Sequence, residues 1–78
     1  MLISRYEVHR GPQKLAELWT LSRGVRDIRC ALFTHPAGWE LKLIAVDSAF
    51  RTRLCETSQQ IHDTADRWRA EASTKGWT

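Results

Sequence analysis

No apolar run in this sequence approaches the ~20 residues that a membrane-spanning helix requires, so no helical span is expected. There are only two cysteines, Cys30 and Cys55, and three histidines, His9, His35 and His62. None of these forms a C-x-x-C or H-x-x-x-H pair, the short spacings from which zinc sites are usually built. The four glycines, Gly11, Gly24, Gly38 and Gly76, stand apart from one another. No Gly-rich loop is therefore present to cradle a phosphate. Paired carboxylates are missing from any segment that could line a pocket. Cys55 with His62 is the single nucleophile–base pair that can be sketched, and nothing in the sequence orients it. A chain of 78 residues also has little depth for an enclosed pocket. The expectation is a protein without catalytic residues, metal or cofactor.

What is present is more informative. The length allows one small domain, residues 1–78, with a thin core. Domains of this size often draw stability from a staple or a partner chain. The N-terminal MLISRYEVHR carries Arg5, Glu7 and Arg10 and has no apolar stretch of the signal-peptide kind. A cytoplasmic location with reduced thiols is the expectation that follows. The net charge is +3, and nine of the twelve basic residues are arginine. Arginine offers a planar fork for carboxylates and phosphates and stacks on aromatic rings. Four tryptophans, Trp19, Trp39, Trp68 and Trp77, are spread along the chain. Large rings of this kind fill thin cores or anchor interfaces.

The chain divides into short alternating segments. Residues 1–11 alternate in character and read as an edge strand or a flexible arm, ended by Gly11-Pro12. Residues 13–22 read two ways. Leu15, Leu18 and Trp19 have helical spacing, but residues 18–22 suit a strand, which is the preferred reading. A loop at residues 23–27 follows, with Gly24 supplying an unusual backbone angle. Strands are expected over 28–34, 39–46 and 50–55, separated by turns at Pro36-Ala37-Gly38 and Asp47-Ser48-Ala49. Short turns between consecutive strands imply an antiparallel meander. Thr57-Ser58-Gln59-Gln60 has the form of a capping box, and a helix is expected over residues 58–75. Ile61, Ala65, Trp68 and Ala72 make its apolar stripe. Asp63, Arg67 and Glu71 are placed for a row of exposed ion pairs. Gly76 suits a left-handed cap with Trp77 folded back on the last turn.

The fold expected is α+β and two-layered: an antiparallel three- to four-stranded β-meander with one C-terminal α-helix packed on one face. Trp39, Leu41 and Leu43 would meet the helix stripe. Simple alternation puts Arg29, Ala31, Phe33, Glu40, Lys42, Arg51 and Arg53 on the other face, with Phe50, Thr52 and Leu54 turned inward. Cys30 falls on the core face and Cys55 opposite it or at the strand end, so a disulfide is not expected. Arg29, Phe33, Lys42, Arg51 and Arg53 form the candidate interaction face. Over residues 28–75 this arrangement resembles, in architecture and charge, the DNA-binding domains of plant transcription factors and of integrase arms. That resemblance implies a sheet laid in the major groove with Arg side chains on bases. It matches no motif residue by residue. Two partners are thus in view: a protein, either a second copy or a larger assembly, bound around Phe33, and a nucleic acid bound through the basic side chains. The preferred reading is a non-catalytic accessory protein that acts by protein–protein association.

Overall fold

The structure, a computed structural model, describes residues 11–78; the expected strand or arm over residues 1–11 lies almost wholly outside them. Four antiparallel strands form a meander in the order β1-β2-β3-β4: β1 (Lys14–Arg23), β2 (Arg26–His35), β3 (Gly38–Ala45) and β4 (Ser48–Cys55). One helix follows, α1 (Ser58–Thr74). The fold is the expected α+β arrangement. Residues 13–22 resolve in favour of a strand, longer than the 18–22 expected.

Three two-residue turns join the strands. Gly24-Val25 reverses the chain between Arg23 and Arg26, with Gly24 at φ 63°. Pro36-Ala37 reverses it between His35 and Gly38, and the His35 Nδ1 accepts the Ala37 amide at 3.0 Å. Gly38 has φ 142°, and a Cβ there would run into the backbone carbonyl of Cys55. Only glycine lets β3 and the end of β4 approach this closely. The third turn is Val46-Asp47, one residue earlier than expected, between Ala45 and Ser48. Val46 sits at φ 58°, a region where a β-branched side chain crowds its own backbone.

Helix α1 is capped at both ends. The Thr57 side-chain oxygen accepts the Gln60 amide at 3.1 Å, which satisfies one of the orphan donors of the first turn. The Gln60 side chain reaches one residue further back than a capping box predicts: its Oε1 accepts the Glu56 amide at 2.7 Å. At the other end Trp77 N donates to Ala72 O at 3.2 Å and Gly76 N to Ser73 O at 3.1 Å. With Gly76 at φ 92°, these are the two bonds of a Schellman motif. Thr78 N then donates to Ser22 O at 2.8 Å, tying the tail to β1.

The core is the layer between α1 and the sheet. Cys30, Leu41, Leu43 and Cys55 from the strands meet Ile61, Ala65 and Trp68 from the helix. A second cluster joins Leu21, Ile28 and Ala72, with Trp77 and Trp19 against it. The helix stripe is therefore buried as expected, Trp68 to 4% exposure. Small alanines let the helix come close, and the Trp19 indole donates to Ala65 O at 3.0 Å, stitching β1 to the helix backbone. Trp39 departs from expectation. It lies second in β3, opposite Cys55 on the helix side of the sheet, but remains 37% exposed and outside the core clusters.

Strict alternation fails at two bulges. Between Glu17 and Trp19 the β1–β2 register shifts, so Leu18 and Trp19 both pack on the helix-side cluster. That shift, with another beside Leu15, is what gave the segment its helical spacing. Between Leu43 and Ile44 the β3–β4 register shifts as well: Ile44 pairs with Ala49, but Leu43 pairs with Arg51. A bulge inserts one residue, and one residue reverses the face of everything beyond it.

Candidate interaction surface

The β4 bulge rearranges the expected basic face. Arg51 is paired with Leu43 and Arg53 with Leu41, so both lie on the helix side of the sheet. Thr52 and Leu54 take the outer side, opposite Lys42 and Glu40. Arg29, Phe33 and Lys42 do share the outer face, but Arg51 and Arg53 do not join them. Cys55 moves with them: it is fully buried on the helix side rather than turned away. Both cysteines are free thiols. Burial first, and the neighbouring Cys55 second, push the Cys30 thiol from 9.0 up to about 12.

The outer face that remains is closely compensated. Its charged residues are Lys14, Glu17, Asp27, Arg29, Glu40 and Lys42. Lys14 and Arg29 approach Glu17 at 2.6 and 3.6 Å, and Lys42 approaches Glu40 at 3.8 Å. The hydrogen bond from Lys14, then its charge, holds the Glu17 carboxyl below its usual range. The Lys42 ammonium lies 4.6 Å from the centre of the Phe33 ring and covers it. Three cations, each ion-paired, stand against three anions, of which Asp27 accepts from the Ser22 hydroxyl at 2.6 Å, and Phe33 is half-buried rather than an open anchor.

Arg51 has a structural role. Its guanidinium lies 4.9 Å from the Trp68 ring centre and donates to the Glu71 carboxylate at 2.6 Å. It thereby roofs the helix–sheet layer. The expected row along α1 does not form, because Glu71 turns to Arg51 and Asp63 accepts from Gln59 at 2.8 Å. The bond from Arg51 holds the Glu71 carboxyl below its usual range.

The feature that sequence reasoning missed lies at the end of the molecule where the β1–β2 and β3–β4 turns meet the helix C-terminus. Val25, Ile28, Val46, Phe50 and Trp77 line an open cleft of about 700 Å³. A smaller recess continues from it between Phe50, Arg51, Trp68 and Trp77. Phe50 is 58% exposed, and Val25 and Val46 are almost fully so. Trp77 is fixed beneath them by the Schellman motif and the Thr78 bond to β1. Arg26, Asp27 and Arg29 line the cleft, and Arg23 shares a side recess with Val25, Arg26 and Trp77. Neither Arg23 nor Arg26 has an ion-pair partner among the described residues. The signal was available in part: Trp77 next to a cap glycine and a valine in each of two turns. Their convergence was not, since they are distant in sequence.

No protein family, no curated protein and no solved structure matches the chain. Among the described residues no group of His, Cys, Asp or Glu could hold a metal ion, and no helix is long and apolar enough to cross a membrane.

Proposed function

We propose that this chain is a non-catalytic accessory module that acts by binding another protein, and that the cleft at the turn end is its contact surface. The observation that supports this reading is the convergence of Phe50, Val25, Val46 and Trp77 on one cleft. Exposed apolar residues scattered singly need no explanation, but a cluster around a concave site does. The guanidinium groups of Arg23, Arg26 and Arg29 outnumber the single Asp27 carboxylate around it and give it a positive sign. The occupant is a segment of a partner protein with an apolar anchor flanked by carboxylates. Interfaces are built in this way, with aromatic and Arg groups around a desolvated centre.

Nucleic-acid binding through the sheet face loses its support. It needed Arg51 and Arg53 beside Arg29 and Lys42, and the register separates them.

The test is photo-crosslinking in the native cell from a benzophenone side chain at position 50, compared with one at Arg69 on the exposed side of α1. One discrete adduct from position 50, mapping to an acidic and apolar segment of one protein, is the expected result. Adducts that match those from position 69 would end the proposal. An adduct only with a second copy would make the chain a homodimer instead.

A further inference from the structure

The strand β4 is an edge of the sheet, and no strand among the described residues pairs its other side. Every residue of β4 before Cys55 is exposed. A row of free N–H and C=O groups is a ready template for another strand. Natural edges are often guarded by charge, and this one carries Arg51 and Arg53. The two arginines differ. Arg51 is spent on Glu71 and Trp68, whereas Arg53 has no ion-pair or ring partner among the described residues. Leu54, next to it, is an exposed large apolar residue on the opposite face. An edge built solely to repel would not present that side chain.

A second copy, joined in one continuous sheet with both helices on the same side, does not fit this edge. Antiparallel pairing of two β4 strands centred on Thr52 sets Arg51 against Arg53 of the other copy, twice. Centring on Arg51 or Arg53 sets each against itself. Like charges directly opposite one another destabilise a strand pair. The same charges favour a strand of opposite sign.

We infer that the free edge of β4 takes up an extended segment of another protein as a fifth strand, one that carries a carboxylate where it passes Arg53 and an apolar residue where it passes Leu54. Main-chain hydrogen bonds supply the affinity in such additions, and the alternating side chains supply the choice of partner. The inference rests on reading the chain as a protein-binding module. It adds the mode of binding and the sequence pattern of the partner.

Two acetylated and amidated octapeptides test it, one alternating Glu with Val and Thr, the other Lys with Val and Thr. Each is titrated into the isotope-labelled full chain and followed by amide shifts and hydrogen exchange. The Glu peptide is expected to shift the amides of residues 51–54, slow their exchange at least threefold, and bind at least tenfold more tightly than the Lys peptide. The variant R53E is expected to reverse that preference. Equal or absent binding of the two peptides would overturn the inference. So would shifts confined to the cleft, or a wild-type chain that dimerises through β4. Arg53 lies outside the cleft lining. A normal adduct from position 50 with no effect of R53E therefore counts against the edge alone. Absence of a position-50-specific adduct from the otherwise wild-type chain counts against the module.

Discussion

Thr64 is 1% exposed in the middle of α1, and its hydroxyl oxygen has no hydrogen-bond partner among the described residues. A buried polar group left unpaired costs about 1–3 kcal/mol. Valine has nearly the same shape and nearly the same helix propensity, so Thr64→Val removes the penalty and changes little else. The substitution should raise stability by about 1 kcal/mol or more. For a domain of this size that is about 4–8 °C in melting temperature. Thr64→Ser is the control: it keeps the hydroxyl and deletes a buried methyl, and should lower stability by about 1 kcal/mol. Urea unfolding followed by tryptophan fluorescence, with Trp68 buried in the core, reads both variants directly. A Thr64→Val chain no more stable than wild type would refute the reasoning, since it would mean that the hydroxyl is satisfied.

Gly38→Ala should destabilise severely, by about 3 kcal/mol or more, because its Cβ meets the Cys55 carbonyl at a φ that L residues rarely adopt; loss of the cooperative melt reports it. Val46→Gly should stabilise by about 1 kcal/mol by relieving the left-handed backbone at φ 58°, read as a higher denaturant midpoint with unchanged slope. Trp68→Ala should cost about 3–5 kcal/mol, and Trp39→Ala clearly less, since Trp39 is already 37% exposed; the two midpoints compared give the answer. Cys30 should resist Ellman's reagent at pH 8 and react at once in denaturant. With its thiol at 9.0 when unfolded and about 12 when folded, the unfolded chain binds fewer protons across that window. Stability should therefore fall as pH rises from 9 towards 12, by up to about 1.4 kcal/mol per unit, as unfolding curves across that range would show.

The helix was legible from local chemistry alone. The Thr57 cap, the Ile61-Ala65-Trp68-Ala72 stripe and the Gly76-Trp77 stop are all set within a few residues of one another, and each appears as its pattern implies. The turns at Gly24 and Gly38 were legible for the same reason. The meander followed from the shortness of the connections. Tertiary structure decided which face each residue of β4 occupies. Alternation transmits one error along a whole strand, and the inserted residue at Phe50 is recorded only in the pairing of Leu43 with Arg51 and of Ile44 with Ala49. The same holds for the cleft. Val25, Val46, Phe50 and Trp77 become one surface only when two turns and a helix end are folded together, because that proximity is fixed by long-range packing and not by spacing in the chain.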